Sequence, residues 1–280
     1  MRIDRVRAAV WTTVVIIGCV MLSIVVIWPI LFTLSSAVSP GRSAASLSPI
    51  PFANGFTLDN FSKLFTQTLY PQWFLNSFII AACTCIGTLV IASLSAYVFS
   101  RFSFTFKGSL LTSMIVLQIF PSFVGMIAVY VILMRIGALD TLWGLVLVYL
   151  AGNLPYSIWL VKSYLDTIPH GLDEAARLDG ASHLRTFATI IMPIAKPILI
   201  FLAVTTFAAP WMDFIFPKLV LRSPEMQTLA LGLVSFVSQK NSDFTAFAAG
   251  AIIVAIPFMI FFLVTQKSLI TSLSTGALKE

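Results

Sequence analysis

The chain has 280 residues, of which 59% are hydrophobic and only 10% charged, with a formal net charge of +6 at pH 7 and a mean hydropathy of +0.98. That composition excludes an ordinary soluble globular domain, and because the apolar residues fall in long uninterrupted runs the chain reads as an integral membrane protein. The sequence has no basic stripe with interleaved stacking aromatics, so its positive charge does not point to nucleic acid.

Crossing a hydrocarbon core of roughly 30 Å takes about 20 helical residues. Six stretches meet that length, at 10–34, 74–99, 110–133, 142–161, 198–216 and 244–264, and predict an all-α polytopic bundle of six transmembrane helices. Pro121, Pro155, Pro210 and Pro257 lie inside or beside four of them, where neighbouring helices can satisfy the freed backbone groups and a kink shapes the bundle. The first stretch exceeds the about 7–15 residues of a signal-peptide core and lacks a clear small-residue cleavage site, so it is expected to be retained.

Basic residues set the orientation. With the N-terminus inside, Arg2, Arg5, Arg7, Arg101, Lys107, Lys162, Arg177, Arg185, Lys196, Lys267 and Lys279 lie on the cytoplasmic side. Arg42, Lys63, Arg135, Lys218, Arg222 and Lys240 lie outside, which completes the 17 basic residues and favours both termini inside. Cys19, Cys83 and Cys85 fall within predicted spans, and the last two, two residues apart, point to different helix faces; they read as packing residues.

The expected organisation is a tail and first helix at 1–34, an outer loop at 35–73 and a core of five helices at 74–280. Within the core, a cytoplasmic loop occupies 162–196 and a second outer loop 218–243. Pro40, Pro49, Pro51 and Pro71, with Gly41 and Gly55, predict an extended, turn-rich first outer loop, with a short amphipathic helix at 59–65. The second outer loop carries an apolar run at 229–237 and then a polar tip of Gln239, Lys240, Asn241, Ser242 and Asp243. Such a tip can be solvated and inert, or can reach into a partner.

The cytoplasmic loop is more explicit. Pro169 can open a helix, Asp173 and Glu174 sit near the positive end of its dipole, and Gly180 can supply a left-handed C-terminal stop. The resulting helix of about ten residues is too short to be stable alone in water, so something must pack against it. Ala175 and Ala176 offer a small-residue face that could sink into a cleft, and Glu174 a carboxylate for a basic residue there. Ser182 reads as the N-cap of a second helix with Leu184, Phe187, Ile190 and Ile191 on one face, suited to the membrane interface before Pro193 and Pro197 redirect the chain. An ordinary solvated loop would share some of these features.

Glu174-Ala175-Ala176, three residues, Gly180, nine residues, Ile190, one residue, then Met192-Pro193 resembles the signature loop of permease subunits of ABC importers, with Met192 where leucine is usual. Asn76-Ser77, the stretch from Ser95 to Phe102, Gly137-Ala138-Leu139-Asp140-Thr141 and the stretch from Trp211 to Pro217 are similar to the carbohydrate branch of that family. Within that branch the likeness is to the smaller, six-helix membrane subunit of maltose/maltodextrin importers, and it covers essentially the whole chain.

That resemblance implies the type I importer permease fold, in the cytoplasmic membrane of a bacterium or archaeon. It further implies a heterodimeric pore made with a second permease subunit, an external binding protein that delivers sugar, and a homodimeric cytoplasmic ATPase that holds ATP and Mg. Glu174 would meet an ATPase arginine, with Ala175, Ala176, Asp179 and Gly180 supplying the fit and turn of the docking element. Thr275, Gly276 and Leu278 would lie in a tail touching the ATPase pair, and Gln239, Lys240, Asn241 and Ser242 would form the loop entering the binding protein's sugar cleft.

No cofactor is expected on this chain, which has no G-x-x-x-x-G-K-[ST] phosphate loop and is expected to be a transport subunit rather than an enzyme. Sugars are held by aromatic faces and hydrogen-bonding side chains, which makes Gln118, Asn153, Tyr156, Trp211 and Asp213 candidates for substrate contact or gating. Gln118 and Asn153 precede prolines and could instead satisfy freed backbone, and the other permease subunit could hold most of the sugar contacts. A permease for another di- or oligosaccharide or a glycerol-phosphate type solute is the alternative within the class. An ion-coupled carrier would be expected to show an internal repeat and several intramembrane acids; no convincing repeat is evident and Asp213 stands alone. No catalytic constellation is expected, and His170 and His183 lack the company of metal ligands.

Overall fold

A computed structural model of the chain describes residues 2–119, 122–238 and 243–277. Every regular element among them is helical. In chain order these are α1 (Arg2–Ala37), α2 (Asp59–Gln67), α3 (Tyr70–Arg101), α4 (Lys107–Ile119), α5 (Ser122–Arg135), α6 (Leu142–Leu165) and α7 (Gly171–Leu178). There follow α8 (His183–Thr186), a π-helical segment (Phe187–Ile191), α9 (Met192–Ile194), α10 (Lys196–Met212), α11 (Ile215–Val220), α12 (Leu229–Ser235) and α13 (Phe244–Ala277).

Among the described residues four helical stretches are long and apolar enough to cross a membrane, Trp11–Ala37, Tyr70–Arg101, Leu142–Leu165 and Phe244–Gln266, and a fifth is reached if the bent pair His183–Ile194 and Lys196–Met212 counts as one span. The four coincide with the first, second, fourth and sixth predicted spans. The third predicted span covers most of α4 and α5, of 13 and 14 residues, on either side of residues that are not described. Phe120 and Pro121 between them lie outside the described residues. The fifth, α10, has 17 residues and stops at Asp213, where the backbone turns extended with ψ 132°. Before it, the stretch His183–Ile194 meets Lys196–Met212 at an angle of 79°, with Pro193 and Pro197 on either side of the bend.

The residues form two compact units. The first comprises Met1–Tyr70 and Leu233–Ala255. The predicted amphipathic helix is present there as α2, which buries Leu64 and Asn60 and leaves Phe65 exposed. The Asn60 amide donates to the Ala37 and Ser39 carbonyls, both at 2.9 Å. Asp243, at the start of α13, accepts from Lys63 Nζ at 2.7 Å and from the Ala246 N–H at 3.1 Å, and pairs with Arg42 Nε at 3.4 Å. Burial pushes the Asp243 carboxyl up, but the Lys63 ammonium and the Ala246 N–H outweigh it and hold the group below the usual carboxylate range. The apolar window of α1 is not buried by its own chain, so lipid or another protein must cover it.

The second unit comprises Pro71–Gly232 and Ile256–Glu280. It has one apolar cluster around Leu111, Val161, Leu165, Ile191 and Leu202, and another around Ile80, Leu133, Leu145 and Val220. The first turns of α3 organise the segment before α12. Asn76 Nδ2 donates to the Glu225 and Gln227 carbonyls at 2.7 and 2.9 Å, Trp73 Nε1 donates to the Pro224 carbonyl at 2.7 Å, and Ser77 Oγ accepts the Leu229 N–H at 2.7 Å. A Cβ on Gly232 would fall 2.1 Å from the Trp73 ring, so only glycine lets α12 approach this closely. Asp140, in the left-handed region at φ 57°, accepts the N–H groups of Arg222 and Ser223 at 2.9 and 3.0 Å and the Ser223 hydroxyl. Burial pushes its carboxyl up, and these donors more than reverse that, leaving it below the usual range.

Asn76 is 1% exposed, and its amide satisfies two carbonyls at once. Asn76→Ala is therefore expected to destabilise the protein by about 1–3 kcal/mol, the penalty for stranding buried polar groups. The check is a lowered unfolding midpoint in detergent.

Candidate coupling site

The loop at 162–196 has the helix–turn–helix form that its residues predict. Helix α7 begins just after Pro169 and His170 and carries Asp173 and Glu174 in its first turn, where carboxylates complement the helix dipole. It ends in a complete Schellman closure: the Ala181 N–H donates to the Ala176 carbonyl at 2.9 Å and the Gly180 N–H to the Arg177 carbonyl at 3.0 Å. Gly180 sits at φ +83°, which L side chains rarely adopt. Ser182 then caps α8, its hydroxyl accepting the Arg185 N–H at 3.3 Å.

Glu174, Ala175, Asp179 and Gly180 are all exposed. Ala176 is not: expected beside Ala175 on a docking face, it is buried within the protein. Successive helical residues diverge by about 100°, so two adjacent alanines cannot share one face. Leucines that the motif did not single out are exposed instead. Leu178 is 90% exposed, and Leu172 and Leu184 are exposed on the same loop. Their signal in the sequence was apolar residues interleaved with charge in a short helix. Leu184 was expected to share a face with Phe187, Ile190 and Ile191, but Ile191 is fully buried while Phe187 and Ile190 pack partly buried against the same cluster. The π-helical segment Phe187–Ile191 changes the residue count per turn, which breaks a face drawn at α-helical spacing.

Behind α7 lies a network of polar side chains. Arg101 Nε pairs with Asp173 Oδ2 at 2.8 Å, while its Nη1 and Nη2 donate to the Leu165 and Ile168 carbonyls at 3.2 and 3.1 Å. The Tyr97 hydroxyl donates to Asp173 Oδ1 at 3.2 Å. Ser100 donates to Asp166 Oδ1 at 2.7 Å and Lys162 Nζ to Asp166 Oδ2 at 2.6 Å. Burial pushes the Asp166 carboxyl up, but the Lys162 ammonium and the Ser100 hydroxyl outweigh it and keep the group below its ordinary value. The Tyr97 ring meets Phe187 at 5.2 Å and Phe102 at 6.1 Å, and Phe102 meets the His183 ring at 5.0 Å.

The other candidate residues are dispersed. Thr275 and Gly276 lie in the last turns of α13, and Leu278 lies outside the described residues. Gln239, Lys240, Asn241 and Ser242 also lie outside them. Gln118 and Tyr156 are exposed and Asn153 is half-buried, and no hydrogen bond joins these three to one another among the described residues. Trp211 is fully buried, stacked with Phe207 at 5.6 Å and edge-on to Phe74 at 5.4 Å. Asp213 accepts the Tyr149 hydroxyl at 2.8 Å and the Ile215 N–H at 2.9 Å, so its carboxylate starts α11 where α10 stops. Among the described residues no group of three or more His, Cys, Asp or Glu side chains is placed to share a metal ion.

Residues 88–270 match the family described as binding-protein-dependent transport system inner membrane component. The chain is 42% identical over 260 residues to the maltodextrin transport system permease protein MdxG of Bacillus subtilis (strain 168), covering 92% of this chain and 93% of that one. It is 36% identical over 262 residues to the galactooligosaccharides transport system permease protein GanQ of the same organism, covering 92% of each. In fold it is similar to a chain in the crystal structure of a bacterial ABC transporter involved in the import of the acidic polysaccharide alginate, with a TM-score of 0.78 and 22% identity over 95% of this chain and 98% of that one. The architecture is that of a type I ABC importer permease, and the chain belongs to the family of binding-protein-dependent transport system inner membrane components.

Proposed function

We propose that the chain is one permease subunit of an ATP-driven importer of maltodextrins, forming half of a heterodimeric pore. The observation that carries this is the exposed docking element from Glu174 to Gly180, closed by its glycine turn, in a chain 42% identical to a maltodextrin permease along nearly its whole length. Galacto-oligosaccharides are the second reading, favoured by the likeness to GanQ.

Moving a polar sugar through lipid needs a cavity that opens to one side at a time. Switching such a cavity from 1:99 to 99:1 takes about 5.5 kcal/mol of differential interaction with its two states. This chain has no phosphate-binding loop of its own, so a homodimeric cytoplasmic ATPase holding ATP and Mg supplies that energy through α7. Glu174 meets a basic residue in the ATPase cleft, the exposed Leu172 and Leu178 bury against its walls, and Thr275, Gly276 and Leu278 lie in a tail that touches the ATPase pair. Both termini are then cytoplasmic, and the polar tip Gln239 to Ser242 faces an external, sugar-loaded binding protein.

Uptake of labelled maltotriose and of a labelled galacto-oligosaccharide, in cells whose own permease is deleted and which express this chain with its partners, separates the two substrates. Maltotriose uptake alone supports the first reading, and uptake of the galacto-oligosaccharide alone supports the second. Glu174→Lys places a cation where a carboxylate docks and is expected to weaken ATPase association at least about tenfold while leaving the protein inserted. Gly180→Pro, which removes both the φ +83° turn and a donor of the Schellman closure, is expected to do the same. Normal uptake with either substitution would contradict the docking role. Shortening Gln239 to Ser242 is expected to impair uptake but leave the amount of co-purified ATPase unchanged; equal loss of both would make that loop purely structural.

A further inference from the structure

We propose that Arg101 and Asp173 form the rigid link through which a displacement of α7 is passed to the ends of α3 and α6, and that Tyr97 positions Asp173 for it. This rests on the chain being the permease of an ATP-driven importer. Along the chain α7 is joined by the glycine turn at Gly180 on one side and by the short connection from α6 on the other. Much of its own surface is exposed, with Leu178 and Glu174 turned away from the protein. What ties it inward is the buried Ala176 and the carboxylate of Asp173.

The Arg101 side chain is 4% exposed and that of Asp173 14%, so both charges have left water. Arg101, the last residue of α3, donates to the Leu165 and Ile168 carbonyls at and just beyond the C-terminus of α6 and forms an ion pair with Asp173 on α7. Next to it, Ser100 bonds to Asp166, which also accepts from Lys162 on α6. Three helix ends therefore meet on one guanidinium. Stability alone does not call for such a pair, because a well-packed apolar pair of similar volume is often as stable as a buried ion pair. An apolar contact can slide; a planar guanidinium hydrogen-bonded to two fixed carbonyls and ion-paired at 2.8 Å with a carboxylate moves with them as one piece. The Tyr97 hydroxyl takes the other carboxylate oxygen and sets the rotation of Asp173.

The test measures ATP hydrolysed per sugar imported by the whole complex in proteoliposomes, normalised to the ATPase recovered with the permease. Asp173→Asn is expected to raise that ratio at least about fivefold, within the usual span of coupling between sites, and Asp173→Glu, which keeps the charge, to recover most of the loss. Tyr97→Phe leaves Arg101 paired and is expected to raise the ratio less, in the same direction; it decides the matter if Asp173→Asn does not assemble. An unchanged ratio in the assembled variants, with uptake and hydrolysis falling together, would overturn the proposal. An unsubstituted chain that recovers no ATPase would instead overturn the importer assignment on which it rests.

Discussion

A chain that lives in hydrocarbon cannot leave backbone polar groups unpaired, and that constraint organises this protein. Inside the long helices the ladder satisfies itself. At ends and breaks it cannot, and there several polar side chains of a 59% hydrophobic sequence take over. Asn76 and Ser77 serve the segment before α12, Asp140 the turn around Arg222, Asp213 the start of α11, and Arg101 the last carbonyls of α6. Each answers a termination that the apolar runs impose.

The same constraint gives the loop at 162–196 its logic. A helix of eight residues has little stability of its own, so α7 depends on its glycine closure, its first-turn carboxylates and the ion pair behind it. Those contacts occupy one side of the helix. The other presents a carboxylate, a small alanine and an exposed leucine, a surface that a partner can cover and that a purely structural loop would have no reason to keep apolar.

Much of this was legible in the sequence because the relevant signals are local. Apolar run length placed four long helices, the left-handed requirement at Gly180 placed the turn, and Ser182 placed the cap. What was not legible depends on geometry between distant residues or on departures from ideal periodicity. The π-helical segment displaced Leu184 from the face of Ile191, and the bend of 79° before α10 was not readable from run length. Tyr97, Arg101 and Asp173 were visible as parts of recognisable segments, yet nothing in their spacing says that they touch, since Tyr97 and Asp173 are 76 residues apart. Trp211 and Asp213 had the chemistry of a sugar contact, but in the fold their rings and oxygens are engaged by Phe207, Phe74, Tyr149 and the backbone of α11.

The most direct measurement is purification of the chain in mild detergent with the products of a co-expressed importer operon, followed by ATPase assays against a panel of sugar-loaded binding proteins. Recovery of a second permease and an ATPase, with hydrolysis stimulated by the maltodextrin-loaded binding protein, is the predicted result. A chain that purifies alone and drives sugar uptake from an ion gradient without ATP would contradict it.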